Sequence, residues 1–134
     1  MEQPPITISA WNHVGIRVAE RARAVAFYRH LGFEEVAYHR GPKVSILRNP
    51  AGLELNLIVN AIAAPANILM DVPEKHPGYT HASLRVASIE DTVAALGRLG
   101  IAITEGPIEL GGVAIAVFIR DPDHNVIELA QLLD

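Results

Sequence analysis

Residues 12–18 and 80–86 alternate apolar side chains with small, polar or charged ones, the period of a strand that buries one face. In the first run Asn12, Val14, Ile16 and Val18 fall on one side, and His13, Gly15 and Arg17 on the other. In the second, Ala82, Leu84 and Val86 oppose His81, Ser83 and Arg85. The period then becomes helical. Residues 20–31 bring Ala24, Phe27, Tyr28 and Leu31 onto one face, and Gly32 follows as a stop signal. Ser88 with Asp91 three residues on reads as a helix start; Val93, Leu96 and Leu99 form the apolar stripe and Gly100 ends it. Three short strands complete each unit, near 34–39, 43–48 and 53–59, then near 102–105, 113–119 and 125–131. Turn residues punctuate them at Gly41-Pro42, Asn49-Pro50-Ala51-Gly52, Gly111-Gly112 and Asp121-Pro122-Asp123.

The two units are copies. With His13 set on His81, Arg17-Val18-Ala19 meets Arg85-Val86-Ala87, and Leu31-Gly32-Phe33 meets Leu99-Gly100-Ile101. A single domain over 1–134 is expected, with one βαβββ module at about 11–59 and a second at about 79–132. The fold class is α+β. Residues 60–78 join the modules; with Pro65, Pro73 and Pro77 the segment is long for a plain loop and reads as a lid or crossover arm. Ile68, Leu69 and Met70 within it are placed to cap a pocket or a dimer seam.

Composition narrows the classes. Half of the 134 residues are apolar and the mean hydropathy is +0.24, so the chain buries enough surface to fold. Lys and Arg number 11 against 15 Asp and Glu, with no basic cluster, which argues against nucleic acid and anionic membrane as partners. The absence of Cys excludes disulfides, thiolate metal sites and cysteine nucleophiles. The most apolar stretch, 53–70, is interrupted by Glu54, Asn56, Asn60, Pro65 and Asn67, so no bilayer span is expected. MEQPPITIS lacks the features of a signal peptide, and a cytoplasmic location is expected.

Candidate chemistry falls on the polar faces. Glu54 and Asn56 lie opposite Leu53, Leu55 and Leu57, and Glu128 lies opposite Ile127 and Leu129. Two His and two Glu thus occupy repeat-equivalent positions away from the core. Burying two carboxylates side by side is costly without a cation, and a His₂Glu₂ set suits a borderline or fairly hard divalent ion. His13, Glu54, His81 and Glu128 are therefore the expected metal ligands. Arg17 and Arg85 are candidates to hold an anionic substrate group, while His39, His76 and His124 fall in turns and are read as structural.

The pattern H-V-G-I-R-V at 13–18 with A-F-Y-R-H-L-G-F at 26–33 and G-L-E-L-N at 52–56, followed by Y-T-H at 79–81 and D-P-D-H-N-V-I-E-L at 121–129, resembles the vicinal oxygen chelate superfamily. That superfamily is also called the glyoxalase/bleomycin-resistance/extradiol-dioxygenase superfamily. The resemblance implies a curved, cup-like sheet of eight strands and a homodimer in which each cup takes modules from both chains. The ligand set His, Glu, His, Glu is most like glyoxalase I, and Arg17 matches a position there that binds the glutathione carboxylate. The short loops resemble its nickel- or cobalt-preferring class, with zinc, manganese and iron as other candidate metals. The implied activity is that of a lyase or isomerase: a substrate with adjacent oxygens chelates the metal, an enediolate forms, and a carboxylate moves the proton, Glu128 first and Glu54 second. Glyoxalase I has Asn four residues after its first Glu, where this chain has Ile58, and Lys before the Gly-Gly loop, where it has Leu110. An acyl-CoA epimerase, an extradiol-type dioxygenase and a non-catalytic drug-binding resistance protein thus stay open beside it.

Overall fold

A computed structural model describes residues 3–134. Each apolar alternation becomes a strand and each helical stripe a helix, in the order β1 (Val14–Val18), α1 (Arg21–His30), β2 (Glu34–His39), β3 (Val44–Arg48) and β4 (Glu54–Val59). The second module repeats it with β5 (His81–Arg85), α2 (Ile89–Leu99), β6 (Ile103–Leu110), β7 (Ala114–Arg120) and β8 (Val126–Leu132). The strands form two four-stranded mixed sheets, β1-β4-β3-β2 and β5-β8-β7-β6. In both, the first strand runs parallel to the last and the other pairings are antiparallel. The α+β class and the βαβββ repeat are as the sequence predicts.

The apolar strand faces and the two helices share one core. Tyr28, Phe33, Leu47, Leu55 and Leu57 of the first module and Val117, Ile119 and Ile127 of the second are almost completely buried within it. Burying each such side chain stabilises the fold by about 1.5–3 kcal/mol. Ser88 caps α2, accepting from the Asp91 backbone N–H at 3.1 Å, and Gly100 closes it in the left-handed conformation at φ 71°. α1 begins at Glu20 without a side-chain cap of its own. The other module holds this end instead: Asp123 accepts from the Ala19 N–H, just before the helix, at 3.1 Å and from the Arg23 guanidinium at 3.0 Å.

The β7–β8 turn thereby ties the modules together. Asp121, 3% exposed, accepts from the Tyr28 hydroxyl at 2.7 Å, from the side chain of Asn125 at 2.9 Å, and from the backbone N–H groups of Asp123 and Asn125. Asn125 in turn donates to the Arg17 carbonyl at 3.0 Å.

One strand departs from expectation. β6, predicted to stop near 105, continues to Leu110. Gly106 and Pro107 lie inside the strand, and the ladder absorbs them as an irregularity, its register shifting between Glu105 and Ile108. Gly106 makes this possible: at φ 98°, a Cβ there would lie 2.5 Å from the Ala116 carbonyl oxygen. Among the described residues no helix is long and apolar enough to cross a membrane.

Candidate functional site

The strand that begins each module and the strand that ends it lie side by side, which brings each His to a Glu. In the first module Gly15 pairs with Asn56 and Arg17 with Ile58, so the polar face of β1 continues onto the face of β4 that carries Glu54. His13 Nδ1 lies 3.9 Å from Glu54 Oε2. Asn56 bridges them: with its amide nitrogen donating to Glu54 Oε2 at 3.1 Å, its oxygen lies 3.2 Å from His13 Nε2. The other imidazole nitrogen faces the Asn12 side-chain oxygen at 2.6 Å, and Arg48 donates to Glu54 Oε1 at 3.0 Å.

In the second module the contact is closer. His81 Nε2 lies 3.0 Å from Glu128 Oε1, Thr80 Oγ1 is 2.8 Å from its Nδ1, and the Phe118 ring packs edge-on at 5.7 Å between centroids. Glu128 is buried at 8% exposure. A buried carboxylate facing an imidazole nitrogen is costly unless a proton or a cation lies between them. The donor chemistry of both pairs fits a divalent cation of the borderline class.

The two pairs do not meet. Among the described residues no three His, Asp or Glu side chains gather where they would hold one metal ion. Each chain therefore presents two separate His–Glu pairs, His13 with Glu54 and His81 with Glu128, rather than one cluster of four candidate ligands. The candidate arginines are also separated. Arg17 is held by Asn60, Nε to Oδ1 at 2.9 Å, on the face of the first half-site. Arg85 borders a crevice of about 210 Å³ between the modules, lined also by Leu31, Phe33, Leu96 and Leu129. Of the histidines read as structural, His124 holds a left-handed turn at φ 68° and offers its carbonyl to Asn67 and Arg120. Asn56 and Arg48 escaped the sequence reading as partners of Glu54. Asn56 was legible as sharing its face, but Arg48 joins only through the β3–β4 ladder.

A model of the Glyoxalase/Bleomycin resistance protein/Dioxygenase superfamily matches residues 10–129. Virulence protein STM3117 of Salmonella typhimurium is 27% identical over 135 residues, covering 97% of this chain and 89% of that protein. The glyoxalase domain-containing protein RDO1 of Mycosarcoma maydis is 26% identical, covering 99% of this chain and 74% of its own length. Among solved structures, the fosfomycin resistance protein FosX of Listeria monocytogenes superimposes with a TM-score of 0.71 at 16% identity, over 93% of both chains. That structure is of a glutamate-to-glutamine mutant complexed with Mn(II) and 1S,2S-dihydroxypropylphosphonic acid.

Proposed function

This chain belongs to the glyoxalase/bleomycin resistance protein/dioxygenase superfamily, and from that membership we propose that it is a divalent-metal-dependent lyase or isomerase whose sites form between two copies. The observation that carries the reading is the pair of repeat-equivalent His–Glu half-sites that stay apart within one chain. His13 and Glu54 of one copy and His81 and Glu128 of the other would hold the ion. Two further features support a second copy. Trp11 and Tyr79, each two residues before its His, are 93% and 99% exposed. Large aromatics left in water at equivalent positions beside both half-sites mark surfaces that association covers.

A bound divalent cation would supply stabilisation of negative charge developing on a substrate oxygen. The chain's own residues account for the rest. Glu128, buried beside His81, is the first choice to take the proton from a carbon next to a carbonyl, and Glu54 the second. The electron pair of the broken C–H bond stays on the substrate as a double bond between the oxygen-bearing carbons. The carboxylic acid then returns its proton to the neighbouring carbon, the hydroxyl proton passes to the other oxygen and a carbonyl forms on the first carbon, so the net change is an isomerisation with no external oxidant. Arg17 would hold an anionic tail at the cup rim. Nickel or cobalt is favoured, and the substrate is a small molecule with adjacent oxygens. The FosX likeness favours a second reading, a transformation of a phosphonate-bearing drug at the same ligands; FosX itself has been seen with Mn(II).

Complementation tests the shared site directly. His13→Ala and His81→Ala homodimers would each lose tight metal binding. In an equal mixture half the dimers are mixed, and each of these regains one intact site of two, so metal content returns to about a quarter of wild type. Full metal retention by a His13→Ala, His81→Ala double variant would overturn the site, and a fully active monomer in light scattering would overturn the shared cup. Turnover of hemithioacetals, acyl-CoA esters, catechols or fosfomycin then separates the reactions.

A further inference from the structure

A cation lies on the same sheet face as the second half-site. Arg120 follows Phe118 by two residues on β7 and points away from the core residues Val117 and Ile119. Phe118 touches His81 from that face. Arg120 and His81 are both ladder partners of Val126, which sets their backbones two strand spacings apart, about 10 Å. The guanidinium is engaged by the linker: Nη1 and Nη2 donate to the two carboxylate oxygens of Asp71 at 2.8 and 2.9 Å, and Nη1 to the His124 carbonyl at 3.3 Å. Its Nε is buried and has no partner among the described residues.

Asp71 reaches Arg120 from a closed turn. The Asn67 N–H donates to Asp71 Oδ2 at 2.9 Å, the Asp71 N–H to the Asn67 carbonyl at 2.8 Å, and the Asn67 side chain to the His124 carbonyl at 3.1 Å. Lys75 Nζ, further along the linker, donates to the Met70 and Val72 carbonyls.

We propose that Arg120 is a second anion-anchoring residue of the composite site, beside Arg17, and that Asp71 occupies its guanidinium as an internal stand-in which an anionic substrate group displaces, releasing the 67–71 turn. The location relative to a metal rests on the function proposed above; the exchange of anions does not. A two-pronged contact from guanidinium to carboxylate has the geometry by which arginine takes substrate carboxylates and phosphates. Both partners are partly exposed, at 24% and 30%, so an anion from solvent can reach them, and such pairs are weakly held against competitors. The same two prongs take two oxygens of a phosphate as readily as those of a carboxylate. Asp71 stays ionised across the neutral range, so displacement and not protonation opens the turn.

The test uses metal-free protein and inorganic phosphate, so its outcome is independent of metal binding. Calorimetric titration of wild type, Asp71→Asn, Arg120→Gln and the double variant compares affinities, with thermal melts to confirm folding. Asp71→Asn should bind phosphate about fivefold more tightly than wild type, the scale on which an exposed pair competes. Arg120→Gln and the double variant should lose binding. Trypsin gives a second readout on wild-type protein, because Lys75 lies in the linker: phosphate should speed cleavage after Lys75 in wild type and leave Arg120→Gln unchanged. Equal affinity in wild type and Asp71→Asn, undiminished binding by Arg120→Gln, or a cleavage rate indifferent to phosphate would each overturn the proposal.

Discussion

Removing the Tyr28 hydroxyl tests whether the modules are held by chemistry as well as by apolar packing. The ring is fully buried and packs edge-to-face on Phe27 at 5.1 Å, so Tyr28→Phe keeps the shape and loses one hydrogen bond, to Asp121 Oδ2. Asn125 still donates to that oxygen, so the carboxylate is left half-served rather than bare. Hydrogen bonds to charged groups contribute about 1.5–3 kcal/mol, and the surviving partner places the loss near 2 kcal/mol. With an unfolding entropy of about 2.1 cal/mol/K per residue, that lowers the melting temperature by about 7 °C.

The same substitution has a signature in pH. Burial, and then the negative charges of Asp121 and Asp123, hold the Tyr28 phenol well above its ordinary value of 10.0. The stability linked to that proton is fully present below the unfolded value and is lost as pH rises toward the folded one. Above about pH 10 the unfolded chain gives up the proton while the native chain keeps it, with a slope up to about 1.4 kcal/mol per pH unit. Urea unfolding of both proteins between pH 8 and 11 reads both effects. Tyr28→Phe should be less stable at pH 8 and flatter above pH 10. A change under about 0.5 kcal/mol at pH 8, or an unaltered alkaline slope, refutes the coupling.

Three further outcomes are expected. Glu128→Gln should retain most metal affinity and lose about 10²–10⁴-fold in turnover of the substrate found in the panel, with Glu54→Gln less affected; equal turnover by both variants and wild type removes proton transfer. Gly106→Ala should destabilise by about 1–3 kcal/mol in urea unfolding, because the backbone is left-handed there and the added Cβ meets the Ala116 carbonyl; a neutral result would mean that β6 relaxes freely. The Arg120 hydrogen bonds lower the Asp71 carboxyl from 3.8 to about 2, so the linker latch should hold above pH 4 and open as pH falls from there through 2. Hydrogen exchange at residues 67–72 should rise over that interval in wild type, and the step should vanish in Asp71→Asn.

Much of the fold was legible because each strand has one buried face. That forces alternation, and alternation names both the core set and the polar set. The repeat then carried His13 and Glu54 onto His81 and Glu128, and the structure sets each His beside its Glu because the first and last strands of a module are parallel neighbours. β6 was under-read because Gly106 and Pro107 break most strands, and only the ladder with β7 shows that this one tolerates them as an irregularity. Pairs such as Asp71 with Arg120 and Tyr28 with Asp121 leave no local pattern at all. They join residues 49 and 93 positions apart through connections whose path no periodicity describes.

The same limit explains the division of the ligand set. Strand periodicity assigns a side chain to a face, and a repeat assigns equivalent faces to equivalent modules, but neither says which module faces which. Within this chain the modules are joined through their cores and the β7–β8 turn, where Asp121 and Asp123 grip α1. Each module carries its own His–Glu pair on its polar face, and the two pairs do not meet among the described residues. The proposed meeting of two copies uses the pseudo-symmetry that relates the modules, by which the first module of one chain would face the second of another. On that argument the folding contacts and the chemistry are separable. Tyr28→Phe should weaken the monomer while leaving the His–Glu distances intact, and His13→Ala should abolish tight metal binding while leaving the melting temperature of the metal-free chain within about 2 °C of wild type, because the His13 side chain is 41% exposed and Glu54 keeps Arg48 as a partner.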